Sequence, residues 1–313
     1  MRSYSLLAPA KINLYLGIVG DRPDGFHELV MVLQSIGLAD RVTITETTQP
    51  GIHLTCSDSE VPQDDTNLAY KAADLIYQRF PEVAKRQSGV SIAIDKQIPM
   101  GAGLAGGSAD CAAVLVGMDL LWDLGLTQSE LQTLAAELGS DIPFCVGGGT
   151  ALATGRGELL DPLPDLDNLH LVLAKYRDLP VSTPWAYQTF RRTFGTEYPT
   201  TPDAFIAKQQ ALRSSQMLRA IADRNPDAIA QHLYNDLERV VLPEYPQVQA
   251  LRDRFEAFGA MGTMMSGSGS TVFALCKTAS QAEGLKIQME SAFNDPDLEL
   301  WVTQFRSTGI QIL

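Results

Sequence analysis

The chain has 313 residues, 45% hydrophobic and 19% charged, enough to bury the cores of two domains of ordinary size. Its 24 basic and 37 acidic residues leave a formal charge of −13, which argues against a surface built to coat nucleic acid or an anionic membrane. A site for a phosphorylated small molecule remains open, provided that it is local: backbone N–H groups, a helix N-terminus, one or two lysines.

In chain order, "INLYLGIVG" alternates loosely and is rich in β-formers, so it is predicted as a strand. "DRPDGFHEL" is a turn on Pro23 and Asp24-Gly25, followed by two further predicted strands, "VMVLQSI" and "RVTITET". Apolar positions at Leu68, Ala72, Leu75 and Ile76 predict an amphipathic helix, capped by Thr66 or Asn67 and ended before Pro81. "GVSIAID" is a strand. "IPMGAGLAGGSAD" then opens onto an apolar helix expected to start at Ser108 and close at Gly125, with Thr127 or Ser129 capping the next. Pro143 and Gly147-Gly148-Gly149 interrupt regular structure, and "TALATGRGE" reads as a strand leaving a turn. The Pro/Asp-rich "DPLPDLDN" marks a domain boundary, dividing the chain into residues 1–163 and 164–313. The second part opens on the strand "LHLVLAKY" and carries helices over roughly residues 202–257. It closes with a Gly/Ser turn into "TVFALC", the helix "ASQAEGLKIQMESAF" and a last strand in "WVTQFRSTGIQIL". Strands and helices mix without strict alternation, which favours an α+β fold over a doubly wound sheet.

Cys56, Cys111, Cys145 and Cys276 form no C-x-x-C pair and read as small buried hydrophobes in a reduced compartment. Pro9, Lys11 and Asn13 break the apolar run that a signal peptide needs, and no stretch approaches the roughly 18 apolar residues of a membrane span. A bacterial cytoplasmic protein is expected, ahead of a processed plastid one.

Gly101-x-Gly103-x-x-Gly106 matches the dinucleotide-binding fingerprint letter for letter. Its context does not. The preceding strand stops at Asp95, Pro99 intervenes, and a second helix stands where a strand ending in an acidic residue is required. No Gly-Lys-Ser/Thr follows either, so this is not a P-loop. What remains is a glycine-dense backbone that runs into a helix whose free N–H groups favour an anion.

Three segments in order, Pro9-Ala10-Lys11-Ile12-Asn13-Leu14, "PMGAGLAGGSAD" and "MSGSGSTVFAL", resemble the GHMP family of small-molecule kinases, which includes galactose, homoserine, mevalonate and phosphomevalonate kinases. Gly106-Gly107-Ser108-Ala109 departs slightly from the family's usual second half. That variant, with "DRPDGFHEL" and "GSDIPFCVGGGTALATGRGE", resembles the branch acting on a cytidine-diphosphate ester of methylerythritol. The resemblance implies an N-terminal domain of the ribosomal-protein-S5 type, a ferredoxin-like C-terminal domain, and an active site in the cleft between them. It also implies ATP as co-substrate with Mg²⁺, for which no carboxylate cluster predicts a dedicated cage. Neither nucleic acid nor membrane is expected as a partner, and the oligomeric state is left between monomer and weak dimer.

The resemblance assigns Asp141 as catalytic base and Lys11 as the cation beside it, and gives Asn13 a part in orienting the acceptor. From the residues alone, Asp141 reads as a helix cap ahead of Pro143 before it reads as a catalytic group, whereas Lys11, set between Pro9-Ala10 and Ile12-Asn13-Leu14, reads as turned toward a site rather than as a solvated edge charge. The ATP loop would comprise Pro99, Met100, Gly101, Ala102, Gly103, Leu104, Ala105, Gly106, Gly107, Ser108 and Ala109. Asn67 and Lys96 are adenosine-side candidates, although Asn67 could equally cap its helix. Phe26 would stack on the cytosine, where Tyr is common in the family, and His27 would hydrogen-bond it. Tyr187, ahead of Trp185, is the second stacking candidate. The turn Ser266-Gly267-Ser268-Gly269 either presents N–H groups to a phosphate or is a tight strand connection.

Overall fold

The computed structural model describes residues 2–86, 88–213 and 215–313. The first half contains β1 (Ser3–Asp21), β2 (His27–Thr47), β3 (Gly51–Cys56), α1 (Leu68–Arg79), the short α2 (Pro81–Ala84) and β4 (Gly89–Asp95). It continues through α3 (Gly106–Trp122), α4 (Gln128–Leu138), α5 (Ile142–Gly147), β5 (Thr150–Gly155) and β6 (Leu159–Pro162). The second half runs from β7 (His170–Tyr176) into α6 (Thr183–Phe194), α7 (Pro202–Arg213), α8 (Gln216–Ala222) and α9 (Pro226–Gln231). It then passes through β8 (Tyr234–Asn235), α10 (Glu238–Glu244), α11 (Pro246–Ala257), β9 (Gly262–Met265) and β10 (Val272–Cys276). It ends with α12 (Ala279–Phe293), β11 (Leu298–Arg306) and β12 (Gln311–Ile312).

One mixed sheet unites them in the order β12-β1-β2-β11-β7-β10-β9, with β4 and β5 also pairing to β2. The two strands expected after the turn are therefore a single 21-residue strand. Gly37, in the gap between the two expected strands, serves a crossing: a Cβ there would press on the Thr303 hydroxyl at 3.0 Å. Just before it, Ser35 and Ile36 pair with Arg306 and Phe305 of β11. The buried Gln34 amide secures this junction, donating to the carbonyls of Ser35 and Arg306 at 2.9 Å and accepting from the Thr150 hydroxyl at 2.6 Å.

Helix α3 is apolar around most of its circumference, so it must be buried on several sides, and it packs on β1, β2 and α1. Small residues on it, among them Ala112, Ala113 and Gly117, allow that close approach. Helix α3 begins at Gly106 rather than Ser108, because Ala105 takes the left-handed conformation at its N-cap. It ends at Trp122, with Asp123, also left-handed, as its C-cap two residues before Gly125. Residues of β7 alternate between two cores, Leu171 and Leu173 in one and Val172 and Ala174 in the other. Burial on both faces explains why "LHLVL" is continuously apolar. The helix Thr183–Phe194 was not in the sequence-based reading, and the single last strand expected in "WVTQFRSTGIQIL" is two, β11 and the two-residue β12.

Phe305 sits in β11 where it meets β2 and is fully buried. Phe305→Ala is expected to destabilise the fold by about 3–5 kcal/mol through lost burial and the cavity left behind. Denaturant unfolding checks this, with the loss appearing as a lowered midpoint.

Candidate active site

Pro9 lacks an N–H to give to a neighbouring strand, and β1 carries a bulge between Pro9 and Lys11. The freed Lys11 N–H donates to the Leu104 carbonyl at 3.1 Å, tying the strand to the glycine loop. Two residues apart, Lys11 and Asn13 share a face, and the Lys11 ammonium donates to Asn13 Oδ1 at 2.8 Å. Lys11 is only 4% exposed, so it is not an edge charge. Its Nζ lies 3.7 Å from Asp141 Oδ2. Asp141 occupies the N-cap position of α5 but makes no side-chain cap bond, which leaves its carboxylate facing Lys11.

These residues line a cavity of about 800 Å³ whose walls come from both halves of the chain. Residues 99–103, 105–108 and Asp110 form one wall; Thr183, Tyr187, Arg191, Gly267 and Ser268 form part of the other. No side chain caps α3, and its first helical bond runs from Ala109 N–H to the Ala105 carbonyl. The N–H groups at its start are thus left for a ligand, the arrangement that binds phosphate. Leu104 and Ala109, included in the loop on sequence grounds, do not line the cavity; both side chains are fully buried in the core.

The loop is held from three sides through consecutive carbonyls: Ala102 accepts from Thr271 N–H at 3.4 Å, Gly103 from the Ser266 hydroxyl at 3.0 Å, and Leu104 from Lys11 N–H. Gly103 has φ +72, and a Cβ there would collide with the Ser266 carbonyl oxygen. Asn235 braces the same turn, donating to the carbonyls of Met265 and Gly267 at 2.9 and 2.8 Å.

Lys96 lines the cavity, but its ammonium is bonded to Asp40 and lies 3.1 Å from Asp110. Burial works against that cation, but the two carboxylates outweigh it and hold its pKa above the usual lysine value. Burial, with Asp40 alongside, pushes the Asp110 carboxyl up to about 8. Asp40 also accepts from the N–H groups of Gln97 and Ile98, at 2.6 and 2.8 Å, which fixes the entry to the glycine loop. Asn67 lines the cavity while its side chain caps α1 by accepting from Ala69 N–H at 2.8 Å, so the two readings of this residue coexist.

At the far end, Phe26 is 51% exposed under the Arg156 guanidinium, 5.1 Å from its ring centre. His27 is buried, with its ring 5.3 Å from that of Tyr187. Burial, helped by Arg191 and opposed by Asp21, pulls the His27 pKa down to about 4, so the ring is neutral near pH 7. Burial likewise raises the Tyr187 phenol well above its ordinary value. Trp185 packs on Tyr245, its ring centre 5.5 Å away, and does not line the cavity.

Sequence reasoning missed Asp21, Asp40, Asp110, Arg191 and Asn235. Each acts through a partner elsewhere in the sequence, and an isolated charged or amide residue carries no spacing signal.

The GHMP kinases N terminal domain matches residues 67–149, and the GHMP kinases C terminal domain matches residues 217–295. The chain belongs to the GHMP kinases. Curated relatives of this GHMP kinase named 4-diphosphocytidyl-2-C-methyl-D-erythritol kinase occur in Acaryochloris marina, 59% identical over 100% of both chains, and in Nostoc punctiforme. The latter is 57% identical over 100% of this chain and 99% of its own. A crystal structure of 4-(cytidine 5'-diphospho)-2C-methyl-D-erythritol kinase superimposes with a TM-score of 0.73 at 32% identity, covering 96% of this chain and 98% of its own. Homoserine kinase from Cytophaga hutchinsonii shares the fold, with a TM-score of 0.77 at 18% identity over 100% and 98% of the two chains.

Gly103 and Gly107 provide a paired test of the GHMP kinase loop. Gly103→Ala is expected to cost about 2–4 kcal/mol, from its left-handed backbone and the backbone collision. At Gly107 a Cβ meets only Leu68 Cδ1, at 4.0 Å, so Gly107→Ala should stay within about 0.5 kcal/mol of the parent or improve on it. Urea denaturation of the two variants checks the contrast.

Proposed function

We propose that this GHMP kinase transfers the γ-phosphoryl group of ATP to the 2-hydroxyl of 4-diphosphocytidyl-2-C-methyl-D-erythritol. The observation that carries the reading is one cavity holding the Lys11–Asp141 pair, the uncapped start of α3 and the Phe26–His27–Tyr187 cluster. The full-length relatives with that printed name support the choice of substrate.

The N–H groups of the glycine loop and α3 hold the phosphates of ATP still, which is most of what phosphoryl transfer asks of a protein. Asp141 takes the proton of the acceptor hydroxyl. The oxygen attacks the γ-phosphorus as the bond to the bridging oxygen of ADP breaks. Lys11 keeps Asp141 ionised and stabilises the developing alkoxide, and Asn13 fixes the ammonium that does so. Phe26 and Tyr187 offer aromatic surfaces to the cytosine, and neutral His27 offers a hydrogen bond to its edge. Asn67 and the Lys96 cluster lie on the adenosine side.

Among the described residues no three metal-ligating side chains converge. Phosphate oxygens, waters and one carboxylate suffice for Mg²⁺. Of the two carboxylates lining the cavity, Asp110 is committed to Lys96 and Asp141 faces Lys11, so phosphate oxygens and waters would supply most of the coordination. Bound Mg²⁺ would offset charge on the transferring phosphoryl group.

In domain terms, residues 1–163 would form the S5-like part and residues 164–313 the ferredoxin-like part, with the cavity as the cleft between them. The antiparallel run β9-β10-β7-β11, flanked by α11 and α12, supports the second label. Among the described residues no helix is long and apolar enough to cross a membrane. The bacterial relatives support work in the bacterial cytoplasm.

A coupled ADP-release assay comparing the cytidine substrate with homoserine and mevalonate tests the reading. Turnover of the cytidine ester alone is expected; turnover of mevalonate or homoserine alone would overturn it in favour of another member of the family. Asp141→Asn should lower kcat by about 10³-fold or more while the Kd for ATP stays within about threefold. Near-normal kcat would remove Asp141 from the base role.

A further inference from the structure

Two residues before the Pro23–Gly25 turn stands Asp21, whose Oδ1 accepts from Arg191 Nε at 2.7 Å. Arg191 also donates through Nη2 to the Gly25 carbonyl at 2.9 Å. A side chain from α6 in the second half of the chain thus braces both arms of the turn that presents Phe26 and His27. The same Asp21 oxygen lies 3.5 Å from His27 Nε2, a nitrogen that is buried and has no hydrogen-bond partner. The ring itself is fixed between two others: Tyr187 lies 5.3 Å away at a tilt of 32°, and Tyr198 meets it edge-on at 6.0 Å and 86°.

A neutral imidazole has one N–H and one lone pair, and the group facing each nitrogen decides which is which. A lone pair on Nε2 aimed at a carboxylate oxygen would repel it, whereas an N–H there is attracted. Asp21 therefore favours the tautomer protonated on Nε2. That leaves Nδ1 as an acceptor for a ligand in the cavity. Cytosine presents an amino donor at the position where uracil presents a carbonyl acceptor. An acceptor at His27 Nδ1 suits the first and opposes the second.

We propose that Asp21, braced by Arg191, is a positioning residue that sets the tautomer of His27 and through it the preference for a cytosine over a uracil nucleotide ester. The inference rests on the cytidine-ester reading above and adds the source of its base selectivity. The low pKa of His27 fits this role, since a protonated ring would carry no acceptor. A site built to pair a polar group rejects the mismatched analogue strongly, because its own buried group is left unpaired.

Two measurements test it. In protein labelled with ¹⁵N-histidine, with the His27 signals assigned by their loss in His27→Gln, the ring shifts should report a proton on Nε2. In Asp21→Asn the amide can turn an N–H toward Nε2, and the proton is expected to move to Nδ1. Kinetics with the cytidine- and uridine-diphosphate esters of methylerythritol should show the cytidine-to-uridine ratio of kcat/KM falling at least about tenfold in Asp21→Asn. Arg191→Ala should give a smaller fall in the same direction, and KM for ATP should hold in both variants. A wild-type His27 protonated on Nδ1, or an unchanged ratio in Asp21→Asn, would overturn the inference and leave the kinase reading standing. A wild-type protein that turns over neither ester would overturn both.

Discussion

Three consecutive carbonyl groups, at Ala102, Gly103 and Leu104, accept hydrogen bonds from Thr271, Ser266 and Lys11. Those donors belong to a turn of the second half and to the first strand of the first half, so the glycine loop is where the two halves and the reacting groups are brought into register. The constraint is steric as well as polar, because the Ser266 carbonyl occupies the place of a Gly103 side chain. With its carbonyls engaged on one side, this loop leads into a helix start that no side chain caps. On the proposed reading, the phosphate site would follow from how tightly the backbone is held, more than from any single cation.

The charge of the cavity shows the same economy. The chain is acidic, with a formal charge of −13, yet Lys11, Lys96, Arg156 and Arg191 all line the site. Each already has an acidic partner: Asp141, Asp40 with Asp110, Glu158 and Asp21 respectively. On the proposed reading a nucleotide would enter a pocket whose positive groups are oriented and partly neutralised, so that little reorganisation would accompany its arrival. The Lys96 cluster is the clearest case: Asp40 holds both the ammonium and two backbone N–H groups leading into the loop.

Much of this was legible in the residues. Lys11 after Pro9 and a glycine run before an apolar helix are local patterns that map to the cavity wall, whereas Asp141, which also lines it, reads locally as a helix cap and is picked out by the family resemblance. The reading failed where local signals have two meanings. The two strands expected on either side of Gly37 are one, and the glycine there makes room for β11. Ser108 reads as the start of its helix, but left-handed Ala105 starts the helix earlier. It failed again where an acidic or amide group acts across the fold, as Asp40 does on Lys96 and Asn235 on Gly267. Such pairings carry no periodicity and surface only when the backbone brings their elements together.

The return of β11 to β2 and of β12 to β1 bears on how the molecule comes into being. On the ribosome the first two strands emerge long before their last partners, and Leu6 must wait for Ile312. The N-terminal sheet therefore spends most of synthesis with an open hydrogen-bonding edge and part of its core uncovered. Pairings this distant in sequence slow folding and expose intermediates to aggregation. The pairings that unite the two halves in the finished molecule are therefore among the last that the emerging chain can make.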